Sequence, residues 1–164
     1  MKKIKLFISG GTFDKEYNEI TEQLFFQETH VTEMLKVGRC KAEVDVRTLM
    51  LVDSLKMTNQ DRKNIVENCL QATEKSIVIT HGTGTMVETA EALSSANLVD
   101  KTIVLTGAMI PFRVVGSDAL FNFGVAIAFS QVLPSGVYIA MNGRYFFANK
   151  VRKNISTGIF EEIE

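Results

Sequence analysis

Short β-branched and aliphatic runs recur along the chain, each followed by a stretch in which apolar positions return at helical spacing. Lys3 to Ser9 reads as a first strand, Val31 to Val37 as a short helix, and Ala42 to Met50 alternates polar and apolar residues as a second strand. Ser76 to Thr80 and Thr102 to Thr106 are runs of the kind buried on both faces of a parallel sheet, and Gly136 to Met141 makes a fifth strand. Between these strands lie helices. Thr58 with Asp61 three residues on forms a capping box that opens a helix to about Ala72, with Ile65, Val66, Cys69 and Leu70 as its apolar stripe. Thr85 to Ala96 is a second long helix. Ser117 or Asp118 can cap a third, which runs to about Leu133; it is apolar almost all round and is expected to be largely buried.

Strands alternating with helices imply right-handed βαβ crossovers, so the expected fold is α/β, a three-layer αβα arrangement around a mostly parallel, doubly wound sheet. In such a sheet ligands bind beyond the carboxyl ends of the strands. Gly10-Gly11-Thr12, Asp53-Ser54, His81-Gly82-Thr83-Gly84-Thr85 and Thr106-Gly107-Ala108 all fall there. With only two prolines, Pro111 and Pro134, and no repeat or low-complexity tract, no linker divides the chain. Residues 1–164 therefore read as a single domain without a second, C-terminal one.

Composition narrows the partners. Apolar residues make up 46% and charged ones 23%, as in an ordinary soluble globular protein. Eighteen basic against nineteen acidic residues leave a net charge of -1, which favours neither nucleic acid nor anionic lipid as a partner and suits a small ligand. No run of eighteen apolar residues predicts a membrane span, and the basic start Met1-Lys2-Lys3 leads into too short an apolar stretch for a signal peptide. Cys40 and Cys69 are isolated, and with His30 and His81 they approach no zinc-ligand spacing, so no metal is expected. Both cysteines read as reduced core residues in a cytoplasmic setting.

The strand-end threonines carry the candidate chemistry. A threonine hydroxyl beside helix N-terminal amides can attack an acyl carbon whose oxyanion those amides receive, provided a base activates it. Tyr17 and Lys153 are candidates for that role because each stands in a polar, irregular segment. Taken singly, a Gly-Gly-Thr turn, a capping threonine and a solvated lysine would look the same.

In combination they resemble a known family. Gly10-Gly11-Thr12, Asp53-Ser54, His81-Gly82-Thr83 with Thr85-Met86, Thr106-Gly107-Ala108-Met109 with Pro111, Ser117-Asp118 with Asn122, Val137 to Asn142 and Lys150 to Asn154 are similar, in order and spacing, to the motifs of bacterial L-asparaginases. The likeness covers nearly the whole chain. It is strongest to short, single-domain members that end soon after a Gly-x-Phe-Glu-Glu run, here Gly158 to Glu162. The resemblance implies that Thr12 attacks the side-chain amide, that Tyr17 helps activate it and closes over the substrate, and that Thr83 is a second essential threonine working with Lys153. It further implies that Ser54 binds the α-carboxylate, that Ala108 makes a backbone contact near the reacting amide, and that Gly11, Asp53, Gly82 and Gly84 line the substrate site. The implied reaction is hydrolysis of L-asparagine to L-aspartate and ammonia through an acyl-threonine, without cofactor, in a homo-oligomer, a dimer or tetramer.

One position departs from the pattern. The family signature is His-Gly-Thr-Asp-Thr, and its fourth position here is Gly84. In relatives that aspartate pairs with the lysine and receives the substrate α-ammonium, so the resemblance implies impaired turnover; a charged contact in a closed site is worth roughly 2 to 5 kcal/mol. Glu88, one turn on, could reach in or simply be solvated, and Lys56 could face the pocket or solvent. Two other readings stand beside the amidohydrolase: a weak or inactive homologue that binds an amino acid or serves as an assembly partner, and a phosphate-binding domain using Gly82 to Thr85 at a helix N-terminus. The last lacks a Walker lysine and the full glycine fingerprint.

Overall fold

The computed structural model describes residues 3–164. Its central sheet has six strands in the order β4 (Val44–Val52), β1 (Ile4–Gly10), β5 (Ser76–Thr80), β6 (Thr102–Thr106), β7 (Gly136–Met141) and β8 (Arg144–Phe147). All are parallel except β8, which returns antiparallel along β7. Successive side chains of a strand point to opposite faces, so each central strand serves two cores. Ile4, Leu6, Ile8, Val78, Val104 and Tyr138 face one cluster, shared with α1 (Val31–Val37) and α4 (Ala119–Val132). Phe7, Ile77, Ile79, Ile103, Leu105 and Ile139 face the other, shared with α2 (Asn59–Gln71) and α3 (Met86–Ser95). This is the expected three-layer αβα arrangement. Burying each such side chain is worth about 1.5 to 3 kcal/mol, which is why β5 and β6 contain no charged residue.

Local signals account for most boundaries. Thr58 caps α2 as a complete capping box: its Oγ1 accepts from Asp61 N at 3.2 Å while Asp61 Oδ2 accepts from Thr58 N at 2.8 Å. The second expected strand lies two residues later than its alternation suggested, because pairing with β1 sets both ends, Ile4 opposite Val44 and Gly10 opposite Val52. At the start of α4 Ser117 contributes as expected, its Oγ accepting from Ala119 N at 3.0 Å, and Asp118 does not. Asp118 occupies the cap position, but its carboxylate accepts from Met109 N and Ile110 N (Oδ1, 3.1 and 3.0 Å) and from Asn122 Nδ2 (Oδ2, 2.9 Å), fixing the loop after β6.

Helix α4 is not largely buried either. Ala119, Phe123, Ala126 and Ile127 pack inward, whereas Phe121 and Val132 are 61% and 74% exposed, because an outer-layer helix meets the sheet along one side only. Cys69 is buried but Cys40 only half-buried, so a single cysteine belongs to the core; both are unpaired. Two small antiparallel hairpins complete the fold, β2 (Lys15–Asn18) with β3 (Gln23–Phe26) and β9 (Val151–Lys153) with β10 (Phe160–Glu162). Among the described residues no helix is long and apolar enough to cross a membrane.

Candidate active site

The chain leaves β1 toward β4 through α1 on one face of the sheet, and leaves β5 toward β6 through α3 on the other. Neighbouring strands whose connections diverge in this way open a crevice at their carboxyl ends. The loops after β1, β4 and β5 meet in it. Gly11 has φ +83, and any side chain there would run into the backbone of Gly82. A Cβ on Gly82 would in turn lie 2.6 Å from that of Ser54. The three loops therefore touch through backbone and leave a shallow cleft above them.

That cleft, about 240 Å³, is lined by Gly11 and Thr12 from the first loop, by Asp53 and Ser54 from the second, and by Gly82, Thr83 and Gly84 from the third. Lys153 enters from β9. Its Nζ donates to Thr83 Oγ1 at 2.9 Å across a chain separation of 70 residues. Thr83 is buried, and its hydroxyl points on to Met109 Sδ at 3.6 Å. Burial pushes the Lys153 ammonium below the ordinary lysine range, and among the described residues no carboxylate pairs with it. A lysine so placed gives up its proton more readily than a solvated one, within hydrogen-bond reach of the Thr83 hydroxyl. The β9–β10 hairpin holds it there: Val151 and Phe160 are buried in the sheet core, and the turn closes through Asn154 N to Ile159 O at 2.8 Å.

Thr12 begins a 3-10 turn, Thr12–Asp14, immediately after Gly11. The turn is anchored from below. Phe13 packs edge-on against Phe123 at 5.8 Å between centroids, and Asp14 Oδ1 accepts from His30 N at 2.9 Å and Thr29 Oγ1 at 3.1 Å. Burial raises the Asp14 carboxyl. Ser54 is buried too; its Oγ accepts from Thr85 N at 3.3 Å and its carbonyl from Thr85 Oγ1 at 2.8 Å, which ties the second loop to the start of α3. Asp53 is held well below the usual carboxylate range, chiefly by its contact with Lys15. His81 is fully buried and neutral, its imidazole pushed down to about 4 by desolvation.

Two of the expected site residues do not line the cleft with their side chains. Tyr17 is on β2, 59% exposed, and does not line the cleft; Lys15 on Asp53 holds that hairpin down, and Glu16 Oε1 lies 3.0 Å from His30 Nε2. Ala108 is packed in the core beneath the site. Glu88 makes no ion pair with Lys153, and Lys56 is exposed and does not line the cleft, although its charge helps to lower the Asp53 carboxyl. To the lining the structure adds Met109, which the sequence marked only as part of a motif, and Leu55, which it did not mark at all. Leu55 occupies the space beside Gly84, where a Cβ would stand 2.8 Å from Leu55 Cδ2 and 3.0 Å from Ser54 Oγ. No sequence signal marks that contact, because the two residues belong to different loops.

A model of the family described as Asparaginase, N-terminal matches residues 3–161. The chain belongs to the asparaginase family. The L-asparaginase of Thermococcus kodakarensis is 27% identical over 161 residues, which is 96% of this chain and 49% of that protein. A glutamyl-tRNA(Gln) amidotransferase subunit of Methanococcus maripaludis is 31% identical over 152 residues, 87% of this chain and 35% of that one. Among solved structures, a probable cytoplasmic L-asparaginase from Campylobacter jejuni matches with a TM-score of 0.86 at 25% identity, over 99% of this chain and 53% of that one. The chain thus spans about half the length of the L-asparaginases it matches. Its sheet and helices have the asparaginase fold.

Proposed function

We propose that this asparaginase-family chain is an amidohydrolase that acts through Thr12, with L-asparagine, giving L-aspartate and ammonia, as its reference substrate. One observation carries the reading: the Lys153 to Thr83 hydrogen bond of 2.9 Å, without a competing carboxylate, in the cleft that Thr12 also lines. Thr12 Oγ attacks the amide carbon while its proton passes to Lys153 by way of Thr83. The carbon–nitrogen bond then breaks, and the nitrogen takes that proton and leaves as ammonia. Water adds to the resulting ester, releases the acid and restores the Thr12 hydroxyl.

Gly84 limits turnover of L-asparagine, because it supplies no carboxylate for the α-ammonium and Asp53, the carboxylate that lines the cleft, is engaged by Lys15. A weaker second reading, an amino-acid-binding or assembly partner, draws on the same gap and on the relative named as a subunit of an amidotransferase. The unpaired cysteines and the Campylobacter jejuni structure's name support a cytoplasmic setting, and the exposed Phe121 and Val132 on α4 support self-association.

The test is ammonia release from L-asparagine and L-glutamine. Wild type is expected to be slow, Thr12→Val inactive, and Gly84→Asp with Leu55→Ala clearly faster on L-asparagine than either wild type or Gly84→Asp alone, since the aspartate needs the space Leu55 fills. No ammonia from any of the enzymes, or equal rates in wild type and Thr12→Val, would remove the proposal.

A further inference from the structure

Beyond the cleft lies a wider recess of about 730 Å³. The two share Leu55, Gly84, Met109 and Lys153 as common walls, so a ligand seated at Thr12 and Thr83 can extend outward past Gly84. Gly84 is the doorway. It has no side chain to close the passage, and Leu55 leans over it, within 2.8 Å of where a Cβ would be. The recess then widens between Val87 of α3 and Ile155 of the β9–β10 turn.

Its lining combines apolar side chains with charges of both signs, two acids and two bases. At the doorway the ionisable group the two spaces share is Lys153, and the surfaces around it are apolar: Leu55 is 77% exposed, and Met109 and Ile155 are exposed as well. Arg152 at the margin is paired with Glu161 at 3.2 Å. Glu88 and Glu91, exposed on α3, also line the recess and pair with neither Lys153 nor Arg152. A substrate with a free ammonium close to its reacting amide would present that charge to a lysine and a leucine. One carrying an uncharged apolar group at that position would cover Leu55, Met109 and Ile155 instead.

We propose that the recess beyond Gly84 binds the acyl group of an N-acylated ω-carboxamide amino acid, so that the preferred substrate is an N-acyl-asparagine and not free asparagine. This rests on the amidohydrolase reading above. The reaction balances as N-acyl-asparagine plus water giving N-acyl-aspartate plus ammonia: the side-chain carbon–nitrogen bond breaks, water supplies the hydroxyl of the new acid and a proton to the leaving nitrogen, and the N-acyl bond stays intact.

The test compares the full-length protein on L-asparagine, N-acetyl-L-asparagine and N-hexanoyl-L-asparagine by ammonia release, with binding of the same compounds to Thr12→Val measured by calorimetry. The expected result is kcat/KM rising with acyl length, the hexanoyl compound exceeding L-asparagine by at least about tenfold, and the same order in binding. Leu55→Asp, an exposed change that puts a carboxylate at the doorway, is expected to shift the ratio toward L-asparagine by about tenfold or more. Hydrolysis of L-asparagine as fast as the hexanoyl compound, or a ratio unmoved by Leu55→Asp, overturns the acyl site and leaves the amidohydrolase intact. Tenfold tighter binding of the hexanoyl compound with no hydrolysis of any amide keeps the acyl site and overturns the amidohydrolase. Equal or absent binding of all three compounds overturns the acyl site, as it must if a second copy of the chain fills the recess.

Discussion

Acidification is expected to loosen the strand-end turn through His81. Its Nδ1 lies 2.8 Å from Gly82 O, an acceptor, so Nδ1 carries the hydrogen and Nε2 accepts from Thr89 Oγ1, also at 2.8 Å. Both nitrogens are satisfied by the neutral ring, and the site is sealed from water. Desolvation holds the folded imidazole at about 4 against an ordinary 6.5. The unfolded chain therefore takes up a proton that the folded chain refuses, and the stability this contributes is complete above pH 6.5 and lost as pH falls through the window down to 4. At 1.36 kcal/mol per pKa unit the full effect is about 3 kcal/mol, and at pH 5 about 2 kcal/mol has gone, a large share of a typical folding free energy of roughly 5–15 kcal/mol. Urea unfolding followed by circular dichroism at pH 7, 6 and 5, on wild type and His81→Gln, measures it. Asp14, whose raised carboxyl acts in the opposite sense, is present in both proteins and cancels in the difference. Wild type is expected to lose about 2 kcal/mol relative to the variant between pH 7 and pH 5. A difference that stays constant across that range refutes the reasoning.

Three further outcomes are expected. Ammonia release should rise with pH as Lys153 deprotonates, with a midpoint below the ordinary lysine value of 10.5, and Lys153→Met should lose that limb; a flat wild-type profile counts against lysine as the base. Thr58→Ala removes the capping box of α2 and should cost about 1 kcal/mol, seen as a Tm lower by roughly 2–4 °C in a scanning measurement; an unchanged Tm would show that the cap contributes nothing. Burial pushes the Cys69 thiol up to about 12, so a thiol reagent should titrate Cys40 in the native protein and Cys69 only after unfolding; rapid reaction of both would contradict its burial.

What was legible in the sequence follows from where the physics is local. Runs such as Ser76–Thr80 announce themselves because burial on both faces excludes charge, and Thr58 with Asp61 because a cap is settled within four residues. The strand-end loops could be placed at a site since a parallel sheet gathers its carboxyl ends. Other parts were hidden. The hairpins Lys15–Phe26 and Val151–Glu162 are short and polar, with too few apolar positions to show a period. Strand β8 did have a signal, the Asn142-Gly143 pair with φ 52 and 81, which is the dipeptide that favours a tight hairpin turn. The exposed side of α4 escaped because its composition is apolar all round and only the layer order decides which face is covered. Leu55 beside Gly84 is hidden for a deeper reason: a residue that fills the space left by a missing side chain on another loop has no pattern along the chain.

The central claim, covalent hydrolysis through Thr12, is tested most directly by intact-protein and peptide mass spectrometry of acid-quenched reactions with an amide substrate. An acyl adduct is expected on the peptide containing Thr12, present in wild type, much reduced in Lys153→Met, where the base that takes the Thr12 proton is gone, and absent in Thr12→Val together with ammonia release. An adduct on another residue, or ammonia released at the wild-type rate by Thr12→Val, would contradict it.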